Sequence, residues 1–453
     1  MRAVNPATGK VLKEYSEMTA SEVVEQIDRT QAAYLSWRQT PSGFRSGLLE
    51  EAGLILRMQK EVLASLMTEE MGKPIVEARG EIEKCAWVCD FYAENTRDFL
   101  APEMVETTAS KSFVTFQPLG IVLAIMPWNF PFWQVFRFGA PALMAGNAVL
   151  LKHAPGTPGC SIAIENLFLE AGFPVDLFKS LIVDVEQVES IIENPHVRAV
   201  TLTGSTRAGR AVARKAGEML KKTVLELGGS DPYLILEDAD FEAAVKACTF
   251  ARLFNSGQVC IAAKRIIVLN SQKEQLQQAL VSEMGSWRVG DPTKEETQIG
   301  PLARPDLRET LHRQVSESIE KGAKLLLGGE IPDGPGNYYP VTILTDVTPG
   351  MPVYEEEIFG PVASIIGVED ESEAIKVAND TSYGLGAAVF TNDLQRGEKI
   401  AVEKLEAGAC FVNDFVRSDP RLPFGGVKDS GYGRELSVFG IREFVNIKTV
   451  YIK

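Results

Sequence analysis

Apolar residues recur at helical spacing over the first hundred positions and then gather into short unbroken runs, so the chain changes period once, near Met104. Thr19 and Glu22 stand at capping-box spacing ahead of Val23, Ile27 and Tyr34, which predicts a helix ending near Trp37. A second helical pattern runs through Leu48, Ala52, Ile55, Leu56, Leu63 and Leu66 and stops at Gly72-Lys73-Pro74. A third is expected from Ala78 to Phe99. From Met104 to Pro118 the composition becomes rich in Thr, Val and aromatics, as in an extended ribbon that needs a partner edge. The β-prone end of the chain, Lys448 to Lys453, is a similar stretch. Pairing between subunits and a plain surface hairpin are both open uses for these two segments.

Four unbroken apolar runs follow: Ile121 to Met126, Ala148 to Leu151, Ser180 to Val183 and Val200 to Thr203. The segments between them can be helical: Gln134 to Ala145, Cys160 to Ala171 and Val185 to Glu193. Such alternation marks a parallel sheet covered on both faces, a doubly wound α/β fold with ligands at the carboxyl ends of its strands. A second α/β unit is expected after Thr223 to Gly229, with candidate strands at Pro232 to Leu236, Arg265 to Leu269, Val341 to Leu344, Val362 to Val368, Ala387 to Phe390 and Ala409 to Asn413. At the end of the fourth run, Thr203-Gly204-Ser205-Thr206-Arg207-Ala208-Gly209 opens a helix expected over Arg210 to Leu220, whose amides suit a phosphate. A Gly-rich turn of this kind is also common for backbone reasons alone.

The 453 residues are 45% hydrophobic and 24% charged, ordinary values for a soluble globular protein of two or three domains. Lys and Arg number 46 against 61 Asp and Glu, a net charge of −15 with no polybasic run, which argues against nucleic acid or an anionic membrane as partner. The longest apolar run, Leu119 to Trp128, is too short to span a bilayer, and the opening residues lack the apolar core of a signal peptide. Six scattered cysteines without a C-x-x-C pair, and only three His, indicate neither a disulfide framework nor a metal site. A reducing cytoplasm is the expected compartment.

Cys260, in a loop between Asn255-Ser256-Gly257 and the strand-like Ile266 to Leu269, is the candidate nucleophile. A free thiol has a pKa of roughly 8.5 and needs positive potential or a base to react at neutral pH. Core packing is the alternative for any single cysteine.

Four stretches in order change that balance: P-W-N-F-P at 127–131, L-E-L-G-G at 225–229, G-Q-V-C at 257–260 and E-I-F-G-P at 357–361. Together they resemble the aldehyde dehydrogenase superfamily, and the likeness extends from Asn5-Pro6-Ala7-Thr8-Gly9 through Pro423-Phe424-Gly425-Gly426 to the C-terminus. The resemblance implies a dinucleotide-binding domain over residues 1–103 and 119–228 and a catalytic domain over 229–430. It also implies an oligomerisation ribbon and C-terminal strand over 104–118 and 431–453, hence a homodimer or homotetramer. By the same resemblance Cys260 attacks an aldehyde carbonyl, the Asn129 amide and the Cys260 N–H hold the oxyanion, and Glu226 activates water against the thioester. An acylating, coenzyme A-dependent relative would lack Glu226, and a non-catalytic relative would not need Cys260, Asn129 and Glu226 together.

For the cofactor, NADP or NAD, the resemblance assigns Lys152 to the adenosine ribose, Gly204 and Ser205 to the pyrophosphate, Glu357 to the nicotinamide ribose, and Trp128 and Phe359 to its surroundings. Three residues after the lysine, many NAD-preferring relatives carry a Glu where this chain has Pro155. A 2′-phosphate therefore meets no like charge there, and NADP is expected to be accepted and even preferred. Arg137 and Ser418 are similar to the residues that hold the distal carboxylate in succinate-semialdehyde dehydrogenases, with a structural ion pair as the alternative for Arg137. Ala262 stands where some relatives carry a second cysteine, so no local disulfide is expected. The small-molecule substrate is thus an aldehyde, best succinic semialdehyde, with broad aliphatic specificity as the alternative.

Overall fold

The computed structural model describes residues 1–453. Its centre is the run Ile121–Met126, whose side chains are buried on both sides of the strand apart from Ile125, which is half-buried. A strand with no polar face can sit only inside a sheet that is covered on both surfaces. The sheet has six strands in the order Gly431–Tyr432, Lys222–Glu226, Val197–Thr203, Ile121–Met126, Ala148–His153 and Phe178–Ser180. All pairs are parallel except the outermost, where Gly431–Tyr432 runs against Lys222–Glu226.

The five parallel strands are doubly wound: from Ile121–Met126 the chain moves outward one way through Ala148–His153 and Phe178–Ser180, then returns to build the other side. The reversal falls between Ile121–Met126 and Val197–Thr203. A crevice must therefore open beyond Met126 and Thr203, where the loops depart to opposite faces.

The second sheet has seven strands, ordered Lys324–Leu327, Thr342–Thr345, Val362–Val368, Ala263–Leu269, Asp231–Ile235, Gly386–Phe390 and Ala409–Val412. Only the edge pair Lys324–Leu327 with Thr342–Thr345 is antiparallel. Alternate residues of its strands feed two separate cores: Leu234, Ile267 and Ile366 face one, and Tyr233, Ile266 and Ile365 the other.

Most expected elements are present with shifted ends. The pattern from Leu48 to Leu66 is two helices, Ser42–Met58 and Lys60–Met71, broken at Gln59. The helix expected from Arg210 starts earlier, at Thr206, because the Ser205 hydroxyl accepts from the Ala208 amide and caps it. The Ser180 to Val183 run is strand only through Phe178–Ser180; this edge strand makes one more ladder bond, Leu181 N to Leu151 O at 2.7 Å, and then leaves the sheet. Lys222–Glu226 and Lys324–Leu327 escape the apolar-run pattern because both open with a lysine and are solvated at that end.

The ribbon Lys111–Pro118 pairs antiparallel with Val445–Ile452 of the same chain over its whole length, from Lys111 opposite Ile452 to Pro118 opposite Val445. No helix is long and apolar enough to cross a membrane.

Between helix Phe241–Leu253 and strand Ala263–Leu269 of the second unit the chain makes a strongly constrained turn. Asn255, Ser256 and Gly257 have φ of 53°, 54° and 72°, three successive left-handed residues of which only the last is glycine. Such a conformation costs roughly 1–3 kcal/mol per non-glycine residue and persists only when its surroundings hold it. A Cβ on Gly257 would lie 2.3 Å from the Gly360 carbonyl oxygen. Gly257→Ala is accordingly expected to destabilise the fold by ~3 kcal/mol, read as a lowered Tm. Gly80→Ala, at an open position of helix Ile75–Phe99, should be neutral or slightly stabilising, by about 0.5–1 kcal/mol at most.

Candidate active site

Cys260 follows this turn directly and precedes strand Ala263–Leu269. The turn is held from several sides. The Asn255 amide donates to Glu77 Oε2 at 2.8 Å, the Gly300 amide to Ser256 Oγ at 2.9 Å, and Arg252 Nη2 to the Gly257 carbonyl at 2.7 Å. Asn255 Nδ2 donates to the Asn129 carbonyl at 2.9 Å, and Asn129 Nδ2 donates to the Gln258 carbonyl at 3.0 Å. Asn129 comes from the loop after Ile121–Met126, so these two bonds lock the first sheet's strand end to the nucleophile turn. A primary amide has two N–H donors, and one of Asn129's remains for a substrate oxygen. The Cys260 amide makes no hydrogen bond within the chain and is the second available donor.

The Cys260 thiol is pushed up to about 12, first by burial, while the positive charges of Lys264 and Arg137 pull it back. Lys264, which sequence reasoning missed, is fully buried. Its ammonium donates to the carbonyls of Cys260 and Gly229 at 2.6 Å each and to Glu357 Oε1 at 3.1 Å. It thus fixes Cys260 and Glu357 to one point.

Glu226 ends its strand with the carboxylate 2% exposed and neither oxygen hydrogen-bonded. Burial raises its pKa well above the ordinary carboxylate value, Arg137 opposes this, and Glu435 adds to it. Gly425 makes the room: a Cβ there would stand 2.7 Å from Glu226 Oε1. The P-F-G-G stretch therefore has a steric role beside the carboxylate. Arg137 and Glu435 form a buried ion pair, each 2% exposed, and the guanidinium lies 4.7 Å from the Phe424 ring centroid. The ion pair weighed as the alternative for Arg137 is present, and Glu435 is a further residue that sequence reasoning missed. Ser418 is buried and its hydroxyl accepts from Lys84 Nζ at 2.8 Å.

A cavity of about 670 Å³ opens at the topological switch point and reaches Cys260. Trp128, Asn129, Lys152, Gly204, Ser205, Glu357 and Phe359 all line it, and Arg137, Ser418 and Glu226 lie outside its lining. Pro155 is exposed beside it, with only its neighbour Ala154 in the wall.

The donor set fits a nicotinamide dinucleotide. The Lys152 ammonium is buried without a hydrogen bond or ion pair in the chain, its pKa lowered by burial against the pull of Asp184. Helix Thr206–Glu218 presents its N-terminus at Ser205, where an anionic phosphate is favoured. Apolar walls from Val188, Ile192 and Val212 suit a flat ring, and Trp128 meets Phe359 edge-on at 5.7 Å beside Cys260. No group of His, Cys, Asp and Glu could hold a metal ion, and all six cysteines are free thiols.

Residues 1–450 match the sequence model of the aldehyde dehydrogenase family. The chain belongs to the aldehyde dehydrogenase family. It is 49% identical over 449 residues, 99% of both chains, to a probable NADP(+) succinate-semialdehyde dehydrogenase of Synechocystis sp.. It is 45% identical, over 99% of this chain and 97% of the relative, to an NAD(P)+ succinate semialdehyde dehydrogenase of Escherichia coli. Among solved structures, a succinic semialdehyde dehydrogenase from Streptococcus pyogenes in complex with NADP+ superposes with a TM-score of 0.97 at 39% identity, covering 100% of this chain and 99% of that one.

This aldehyde dehydrogenase holds its thiol protonated in the free state, so alkylation of Cys260 by iodoacetamide is expected to keep rising with pH to at least about pH 10. Lys264→Met removes the leading opposing charge and should slow labelling across that range. A plateau below about pH 8 would contradict the raised pKa of the thiol.

Proposed function

We propose that this NAD(P)-dependent aldehyde dehydrogenase oxidises succinic semialdehyde to succinate through Cys260. The observation that carries the reading is the meeting, at one cavity, of a thiol and a spare amide donor with a dinucleotide-shaped set of groups, while Arg137 acts on the thiol from outside that cavity.

Cys260 Sγ gives its proton to water in the cavity and bonds to the aldehyde carbon, and the carbonyl π electrons move to oxygen. Asn129 Nδ2 and the Cys260 N–H receive that oxyanion; one such donor is worth about 3 kcal/mol in the transition state. A nicotinamide dinucleotide held by Lys152, Ser205 and Glu357 would supply the hydride acceptor, so that loss of hydride from the substrate carbon as the C=O bond re-forms would leave a thioester on Cys260. Glu226 then takes a proton from water as its oxygen attacks the thioester, and the thiolate leaves with the acid released. A carboxylate with a raised pKa is a competent base near neutrality, and its deprotonated fraction grows with pH. Because Glu226 rests against Gly425 rather than in the cavity wall, it reaches that water by rotating its side chain.

Lys152 and the Ser205 helix terminus take the adenosine ribose and pyrophosphate, and Glu357, held by Lys264, takes the nicotinamide ribose. With Pro155 in place of a carboxylate, NADP is accepted and preferred. We assign residues 1–103 and 119–228 to cofactor binding and 229–430 to catalysis. The ribbon and C-terminal strand are the seat of a homodimer or homotetramer, which sedimentation equilibrium tests: the free edge of Val445–Ile452 and exposed Met104, Ile447 and Tyr451 suit a second copy. The cytoplasm fits six free thiols.

A second reading has one observation in its favour. Glu435 already engages Arg137, which weakens a carboxylate clamp and suits broad aliphatic aldehydes. Initial rates with succinic semialdehyde and with butanal, each with NAD and NADP, separate the two. The semialdehyde should lead by tenfold or more in kcat/KM, NADP should exceed NAD, and Arg137→Ala, which leaves the Glu435 charge unopposed, should reduce the semialdehyde's lead. Equal rates with both aldehydes would support the broad enzyme. Asn129→Ala should lower kcat for either substrate about a hundredfold or more.

A further inference from the structure

Lys84 is a second cation beside Arg137, and the fold leaves it without a counter-ion. It projects from helix Ile75–Phe99, partly exposed, with Nζ 2.8 Å from Ser418 Oγ and 4.4 Å from the Trp133 ring centroid. Trp133 and Arg137 are four residues apart on helix Trp133–Met144 and so share one face.

Both carboxylates that act on Lys84 are committed elsewhere. Glu81 accepts from the Phe132 and Trp133 amides with Oε1 and pairs with Lys73 through Oε2. Asp419 is taken by Arg421 through both oxygens, at 2.9 and 2.6 Å. Cys85, the remaining titratable neighbour, is a buried neutral thiol. Lys84 forms no ion pair within 4 Å, whereas Arg137 has Glu435. Burial and then Arg137 lower the Lys84 ammonium to about 8, so it is still mostly charged at neutral pH. A cation kept charged, desolvated and unpaired is stabilised when an anion arrives. Arg137 links this corner to the chemistry, for its charge acts on the Cys260 thiol as well as on Lys84.

We propose that Lys84, with the Ser418 hydroxyl, binds the distal carboxylate of the aldehyde substrate, and that Lys84 supplies the net charge Arg137 lacks because Glu435 neutralises it. This rests on the carboxylated-aldehyde reading above and names a specificity residue within it. The assignment also accounts for a difficulty of that reading: an arginine already paired to a carboxylate offers an incoming anion little net attraction, whereas an unpaired ammonium one side chain away offers a full charge.

The test uses full-length enzyme with NADP, and kcat/KM for succinic semialdehyde and for butanal in wild type, Lys84→Met and Lys84→Gln. Gln keeps a donor for Ser418 without the charge, and Met keeps the apolar stem over Trp133 without either. A charge-assisted bond to a carboxylate predicts that both variants lose about 10- to 100-fold more kcat/KM on the semialdehyde than on butanal, mainly through KM. Butanal turnover in the same preparation reports folded enzyme; if Met proves unstable, the Gln variant decides. A wild-type preference for the semialdehyde that survives in the variants overturns the Lys84 assignment and leaves the substrate reading standing. A wild type without that preference removes the substrate reading and the Lys84 assignment with it.

Discussion

Everything at the centre of this protein depends on how the left-handed turn at Asn255–Gly257 is restrained. Left alone, three such residues in a row would relax, and Cys260 would have no fixed position. Arg252, fully buried, binds the carbonyls of Gly257, Ile358 and Gly360, so the same guanidinium that holds the turn also holds the segment carrying Glu357 and Phe359. Lys264 repeats the arrangement from the other side, with Cys260 and Glu357 as its partners. Cys260 and Glu357, the proposed nucleophile and nicotinamide-ribose carboxylate, are therefore positioned by shared buried cations. Asn129, the proposed oxyanion donor, is tied to the same body from the first sheet through the Gln258 carbonyl. Precision of this kind is what makes a donor or nucleophile useful in a transition state, since misplacement costs far more than the bond itself.

The electrostatic pattern follows a second rule. Some buried charges are paired, as in Lys73 with Glu81 and Arg137 with Glu435, and others are met by the backbone, as Arg252 and Arg265 are by carbonyls and Glu70 by amides. Three charges have neither an opposite charge nor a backbone group to meet them: buried Lys152 faces the cofactor cavity, buried Glu226 has two unpartnered oxygens, and partly exposed Lys84 beside Arg137 has only the Ser418 hydroxyl. Each is costly to the folded state on its own. In the proposed reaction each would meet a partner: the cofactor's ribose, the hydrolytic water and the substrate's far end.

Much of this was legible in the sequence. The unbroken apolar run at Ile121–Met126 and the candidate strand at Val362–Val368 are both buried parallel strands, and the four motifs carried Asn129, Glu226, Cys260 and Glu357 into one family. What was not legible depends on long-range pairing. Glu435 reads as an ordinary charge in G-Y-G-R-E-L until Arg137 is found against it. Lys264 looks like the start of a basic strand end, and nothing local says that its ammonium turns inward to two carbonyls. Lys84 lies among Glu81, Glu83 and Asp90 on a helix and reads as one more solvated charge; only the engagement of Glu81 and Asp419 elsewhere makes it unusual. The exposed position of Pro155 shows the converse: the sequence marks the absence of a carboxylate there but not that the ring itself stays out of the cavity wall.

The most direct test of the central claim is to trap the covalent intermediate. Glu226→Gln enzyme, mixed with succinic semialdehyde and NADP and quenched in acid, is digested and read by mass spectrometry. The account predicts a succinyl thioester on the peptide that contains Cys260, accumulating as NADPH appears in a single burst. A burst with that peptide unmodified, or with the acyl group on another residue, would contradict it.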